Sequence, residues 1–253
     1  MAVISLLTDF GIADTYVGQM KGAILAIAPG ARLVDLTHAV PPQDVRAGAF
    51  LLWSAVEAFA ASTVHLAVVD PAVGSKRRAI AIRSRRGDIF VGPDNGLLVP
   101  AVERLGGIDL AIELTEHSYW RPNPSTTFHG RDIFGPVAAH LASGVPFQNL
   151  GRPAADLHEL HLPQPRGLEG EVIHVDAFGN LITNLPAASL PPHFQVLVHG
   201  RTAPAAQHYA AVQPGELLAL VGSAGLLEIS ARDASATTLT GATRGTPVHV
   251  EPL

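Results

Sequence analysis

From residue 3 to residue 142, short apolar runs with strand character alternate with longer stretches of helical period, and this alternation constrains the fold more than any other feature. Residues 3–7, 32–36, 64–69, 79–84 and 109–114 are short, largely apolar and partly β-branched, as strands are. Between them, Asp14 or Thr15 can cap a helix that runs to about Ala28, where Pro29-Gly30 stops it. Asp44 can open an amphipathic helix to about Ala61, and residues 97–105 and 133–142 also have helical spacing. Strands separated by helices bury both faces of a sheet, which predicts a layered, Rossmann-like α/β domain with a parallel sheet over residues 1–155. Residues 156–169, rich in Pro, His and Leu without a sustained period, read as a linker. From residue 170 to 253 only short alternating runs remain, at 172–175, 194–198, 217–221, 226–229 and 248–250, with Gly, Pro and Asn between them. That pattern predicts a small C-terminal antiparallel β-barrel domain.

Composition narrows the function classes. The chain is 47% hydrophobic and 15% charged over 253 residues, enough to bury a sizeable core in each domain. A net charge of −5, with basic clusters only at Lys76-Arg77-Arg78 and Arg83-Arg85-Arg86, argues against nucleic acid as a partner. The absence of Cys excludes disulfides, thiolate nucleophiles and Cys-ligated zinc, and it fits a reducing cytoplasm, the expected location. The first residues lack a basic n-region, and Asp9 interrupts the first apolar run, so no signal peptide is expected. The most apolar tract, 47–61, is broken by Ser54 and Glu57 and is too short to span a bilayer, so no membrane association is expected.

Several familiar site motifs are missing. No G-x-G-x-x-G follows the first strand, and neither G-x-x-x-x-G-K-[ST] nor G-x-S-x-G occurs. His158 and His161 flank Glu159 but lack H-E-x-x-H spacing and an obvious third ligand; a solvated loop explains them, and no metal or cofactor is expected.

What remains is a set of polar clusters that interrupt apolar elements where folding alone does not require them. Thr8-Asp9-Phe10-Gly11 ends the first strand, and Asp70 to Arg78 follows the third. Phe128-His129-Gly130-Arg131-Asp132 precedes a helix, and Asp176-Ala177-Phe178-Gly179-Asn180 lies between two β runs; Val221-Gly222-Ser223-Ala224-Gly225 is a weaker fifth. Each has a plain structural explanation. Asp9 could cap a turn, Asp70 and Arg77 could pair to fix a loop, His129 and Asp132 could cap a helix, and Phe178-Gly179-Asn180 could be a hairpin turn. Yet in α/β sheets the C-terminal ends of strands are where ligands bind, and Asp9 and Asp70 both sit there.

In this order and spacing, and with Asp35-Leu36-Thr37-His38 and the stretch 42–49 added, the clusters resemble the S-adenosylmethionine (SAM) hydroxide adenosyltransferases, relatives of the SAM-dependent fluorinase and chlorinase. The resemblance covers essentially the whole chain. It implies an N-terminal α/β domain followed by a β-barrel, assembled as a homotrimer with sites between subunits. It also implies hydrolysis of SAM to adenosine and methionine, with the substrate as the only small-molecule partner. Asp9, with Phe10 beside it, then corresponds to the carboxylate that grips the ribose diol. Asp70, Arg77 and His129 match the family's catalytic Asp-Arg-His set near the reacting carbon. Asp176, Phe178 and Asn180 match the segment around adenine and the methionine part, and Ser223, Asp233 and Ala234 match further contacts. At this last segment the chain reads Arg232-Asp233-Ala234-Ser235, where the family often has Asn-Gly-Ser.

The resemblance also separates hydrolase from halogenase. Halogenases are similar to this chain but carry Tyr where Asp70 stands and lack the His at 129. A carboxylate beside the reacting carbon would repel a halide, whereas it can accept a hydrogen bond from water. Displacement at the ribose C5′ of a sulfonium expels a neutral thioether, so the leaving group needs no general acid; the demand is to deliver a weak nucleophile in line. A halogenase and a SAM- or adenosine-binding module without turnover are the alternatives, and the complete Asp70, Arg77, His129 set speaks against both.

Overall fold

The structure, a computed structural model, describes residues 2–253. The chain divides into two compact units, one ending at His161 and the other running from Leu162 to Leu253.

The first unit contains, in order, β1 (Val3–Thr8), α1 (Tyr16–Ile27), β2 (Arg32–Thr37), α2 (Val45–Ala55), β3 (Val64–Val68), β4 (Ala79–Ser84), β5 (Ile89–Pro93), α3 (Val99–Arg104), β6 (Ile108–Glu113), α4 (Gly135–Ala142) and β7 (Arg152–Pro153). Its strands form one seven-stranded sheet in the order β2-β1-β3-β5-β4-β6-β7. The two-residue period of the strands sorts their side chains to two faces. Leu66 and Val68 of β3 join Ile4 and Leu6, and with Met20 and Ile24 of α1 and Val137 and Ala138 of α4 they make one core. Ala67 and Val69 face the other way, with Phe90, Ile80 and Ile82, against Ala49 and Leu52 of α2 and Ala101 and Val102 of α3. Fully buried side chains such as Phe90 and Phe134 each contribute about 1.5–3 kcal/mol.

The sheet is mixed, which corrects the expectation of a parallel one. β2, β1, β3 and β5 run parallel, whereas β4 is antiparallel to both β5 and β6, and β7 is antiparallel to β6. The cause is the tight turn between β4 and β5. Asp88 C=O accepts from the Ser84 N–H at 2.8 Å, and Gly87 takes a φ of +98°. A turn this short can only make a hairpin, because a parallel partner needs a crossover of about a dozen residues. Consequently the segment from Asp70 to Arg78 crosses the C-terminal end of β5 before β4 begins beside it at Ala79–Pro93.

One helix boundary and one cap bond differ from the expectation. Asp44 does cap α2, accepting from the Ala47 N–H at 3.0 Å, but the α-helix stops at Ala55 and a 3₁₀ turn, Val56–Ala58, follows. Thr15 occupies the N-cap position of α1 without a side-chain cap bond; its hydroxyl instead receives Gln19 Nε2 at 2.9 Å. A π-turn over Gly130–Phe134 leads into α4.

The second unit contains β8 (Glu169–Val175), β9 (Leu181–Pro186), β10 (Phe194–Val198), β11 (Arg201–Pro204), β12 (Leu217–Val221), β13 (Leu226–Ala231), α5 (Ala236–Thr240) and β14 (Pro247–Pro252). They form a seven-stranded antiparallel sheet in the order β11-β10-β14-β8-β9-β13-β12. The sheet nearly closes on itself: beyond β11, the Ala206 N–H donates to the Ala219 C=O of β12 at 2.8 Å. Inward-facing Val172, Leu181, Val196, Leu227, Ile229 and Val250 fill its interior. Among the described residues no helix is long and apolar enough to cross a membrane.

Candidate active site

The parallel strands of the first unit end side by side, and their ends collect the polar residues singled out in the sequence. Thr8 of β1 pairs with Val68 of β3, so Asp9 and Asp70 leave neighbouring strands at the same edge of the sheet. Asp9 Oδ2 accepts from the Gln43 N–H at 2.8 Å, a bond made possible by a left-handed Gln43 at φ +65°. Phe10 is engaged in packing: its ring lies edge-to-face with Phe128 at 5.6 Å and Tyr16 at 6.4 Å. It also presses on Gly130, where a Cβ would come within 2.9 Å of it. A glycine at 130 therefore lets the β1 end close on the π-turn beside His129.

Asp70, Arg77 and His129 form one connected chain of contacts. Both carboxylate oxygens of Asp70 accept from Arg77, Oδ1 from Nε at 3.1 Å and Oδ2 from Nη2. The same Nη2 lies 2.9 Å from His129 Nδ1. The paired side chains are only 6% and 5% exposed, and the guanidinium stacks over the Phe134 ring with Cζ 5.1 Å from its centroid. Because a guanidinium can only donate, Nδ1 of His129 must accept, which leaves the imidazole neutral with its proton on Nε2. Burial pushes the His129 pKa below the ordinary imidazole value of 6.5, and the Arg77 charge adds to the depression against the opposing pull of Asp70 and Asp132.

Asp132 anchors the segment that presents His129. It is buried, receives Arg131 Nε at 2.7 Å and Nη2 at 2.8 Å, and accepts from the Ser125 N–H at 2.9 Å. The Arg131 hydrogen bonds hold its carboxyl below the usual range against the cost of burial. Gly74, at φ +78°, lets the Asp70–Arg77 loop rest on the same segment, since a Cβ there would come within 2.4 Å of the Thr126 carbonyl oxygen.

In the second unit, Asp176 is committed to the β8–β9 turn. Its Oδ1 accepts from the Phe178 N–H at 2.9 Å and the Asn180 N–H at 2.8 Å, and its Oδ2 from Asn180 Nδ2 at 3.0 Å. This is the hairpin turn that the sequence allowed, and it leaves Phe178 79% exposed. Phe178 and Asn180 then line a pocket of about 690 Å³ together with Tyr209, Arg232, Asp233 and Ala234. Ser223 does not line it. It lies exposed in the β12–β13 turn, at the opposite end of β13 from Arg232.

Sequence reasoning missed Tyr209, which lines this pocket, and its hydrogen-bond partner Glu228. Tyr209 lies in a stretch with no period, so nothing marked it. Its hydroxyl donates to Glu228 Oε1 at 2.8 Å, and burial together with that carboxylate pushes its pKa up to about 12. Glu228 is buried and also receives Ser230 Oγ at 2.7 Å; its place in an otherwise apolar strand was the available signal. His158 and Glu159 lie in the first unit's last stretch, and His161 there pairs with Glu159 at 3.1 Å on the surface.

Comparison with known proteins gives matches along nearly the whole chain. Residues 4–151 match the family model described as SAM hydroxide adenosyltransferase N-terminal domain, and residues 170–249 match the corresponding C-terminal domain. The (R)-S-adenosyl-L-methionine hydrolase of Salinispora arenicola is 44% identical over 261 residues, covering 98% of this chain and 97% of its own. A fluorinase of Actinoplanes is 30% identical over 218 residues, 74% of this chain and 73% of its own. A crystal structure of an uncharacterized conserved protein from Thermotoga maritima superposes with a TM-score of 0.93 at 36% identity, covering 98% of this chain and 100% of that one.

Proposed function

Because the chain belongs to the SAM hydroxide adenosyltransferase family, we propose that it hydrolyses S-adenosyl-L-methionine, water attacking the ribose C5′ to release adenosine and L-methionine. The observation that carries this reading is the contact chain from Asp70 through Arg77 to His129. Such a set handles water. The Nε2–H of neutral His129 can donate to a water oxygen, and a second lone pair on an Asp70 oxygen can accept the water's proton as the C–O bond forms. Since Arg77 occupies Nδ1, Asp70 is the better-placed proton acceptor and His129 the group that holds the nucleophile. Arg77 would repel a sulfonium by itself; its bidentate pairing with Asp70 offsets that charge. Methionine leaves as a neutral thioether, and the water's proton departs to solvent.

In the same reading Asp9 holds the ribose diol, with Phe10 fixing its loop by packing. Phe178, Asn180, Asp233 and Ala234 bound the nucleoside pocket, and Asp176 acts through the turn it builds. Ser223 is kept as a further ligand contact on the family resemblance alone. The nearly closed sheet serves as a small barrel, and three subunits form a ring in which the Asp70 loop of one chain faces the Asp176–Asn180 turn of its neighbour.

The fluorinase match favours halide transfer as the second reading, and Asp70 argues against it. A carboxylate beside the reacting carbon disfavours an approaching anion. The test is to incubate the purified protein with SAM and abundant chloride or fluoride and to separate the nucleosides by chromatography. Adenosine as the product supports hydrolysis. A 5′-halo-5′-deoxyadenosine as the main product would transfer the assignment to the halogenases.

A further inference from the structure

The Asp9 loop makes few bonds of its own; one is to the Gln43 N–H, and the others lead to a single residue. The Gly11 N–H donates to the His38 C=O at 2.8 Å. The Phe10 N–H donates to Thr8 Oγ1 at 3.2 Å, and the same hydroxyl lies 2.8 Å from His38 Nδ1. Thr8 and His38 are both buried. A bulge prepares this contact: β1 pairs Leu6 with Asp35 but Leu7 with Thr37, so Leu36 is the extra residue in β2. Such a bulge re-aims the chain that follows, and here residues 38–43 fold back over the end of β1. Val40 donates to the Thr8 carbonyl at 3.4 Å and Gln43 to Asp9 Oδ2 at 2.8 Å.

Behind the ring, His38 Nε2 lies 3.1 Å from Asp35 Oδ1, out of line for a strong hydrogen bond, and Asp35 Oδ2 receives Lys21 Nζ at 2.6 Å. A carboxylate at Nε2 favours the proton there. Nδ1 is then an acceptor, the Thr8 O–H donates to it, and the Thr8 lone pairs remain for the Phe10 N–H.

We infer that His38 is a positioning residue for ligand binding: its imidazole, through Thr8, and its own carbonyl hold the Asp9–Gly11 turn in the geometry that meets the ribose. This rests on the reading of Asp9 as the ribose grip. It assigns His38 an effect on affinity and none on the chemical step.

The experiment compares His38→Asn, His38→Gln, His38→Ala and Asp9→Ala in the full chain, measuring adenosine affinity by calorimetry, KM and kcat with SAM, and the thermal midpoint. An Asn amide can occupy the place of Nδ1 and keep the Thr8 bond, whereas a Gln amide reaches toward the place of Nε2. His38→Ala and His38→Gln should weaken adenosine binding and raise KM about five- to tenfold, the worth of one hydrogen bond, with kcat within about twofold. His38→Asn should restore most of the affinity. Unchanged adenosine affinity in His38→Ala, or an Asn variant as weak as Gln, would overturn the positioning role while a weakened Asp9→Ala upholds the ribose reading. An Asp9→Ala variant that binds adenosine normally would overturn both. Should His38→Ala fail to fold, the Asn-against-Gln comparison decides alone.

Discussion

His129 meets Arg77 through the ring nitrogen that must accept, and this one contact sets how the site responds to acid. A proton added at Nδ1 would face a guanidinium, and burial disfavours it further. The imidazole therefore stays neutral below the ordinary value of 6.5. The unfolded chain binds more protons than the folded one between the depressed pKa and 6.5, so His129 contributes stability that is complete above 6.5 and is lost as pH falls through the folded pKa. Activity should follow the same titration. The acid limb of kcat/KM is expected below 6.5, matching a low His129 midpoint in an NMR titration of its ring proton. An acid limb at or above 6.5 would contradict the assigned tautomer. None of this was legible at the level of single residues in the sequence, because Arg77 and His129 are 52 positions apart and only the family resemblance put them together.

At the scale of elements, the site depends on how closely two loops approach. The Asp70–Arg77 loop lies against the segment before His129, and Gly74 is the point of contact. Gly74→Ala adds a Cβ 2.4 Å from the Thr126 carbonyl oxygen and places a non-glycine residue in the left-handed region, a strain of about 1–3 kcal/mol. The expected result is a lower thermal midpoint and a kcat reduced at least tenfold, since even small misplacements of reacting groups slow reactions by about 100-fold. Gly144→Ala is the control: its φ is +91° but nothing lies within 4 Å of the added carbon, so it should lose stability and keep kcat. Equal kcat losses in both variants would show that the loop contact is irrelevant.

The elements themselves were legible where periodicity was clean. β1, β3 and α1 follow directly from apolar spacing. The run of Ala79 to Ser84 marks β4 as a strand but carries no direction, which is decided by the Arg85-Arg86-Gly87 turn. β9 carries no clear strand signal because Thr183 and Asn184 interrupt its apolar pattern; both are buried and hydrogen-bonded, Thr183 Oγ1 donating to the Leu227 C=O at 2.8 Å and Asn184 Oδ1 accepting from the Glu171 N–H at 2.8 Å. Polar residues satisfied inside a sheet leave no hydrophobic signature.

At the scale of the whole molecule, the proposed ring makes each site a joint product of two chains. Head-to-tail contacts close into rings when the rotation permits. Asp70→Asn and Asn180→Ala chains should then each be inactive alone and regain activity when co-expressed. With random mixing about a quarter of the sites combine both unmutated segments. No recovery in verified mixed assemblies would mean that each site is built within one chain.

The central claim is that water attacks the ribose carbon, and isotope labelling tests it most directly. SAM turned over by the purified protein in ¹⁸O-labelled water, with both products weighed by mass spectrometry, should place one ¹⁸O in adenosine and none in methionine, because attack at C5′ leaves the new oxygen on the sugar. Unlabelled adenosine, label in methionine, or SAM left intact would contradict the account.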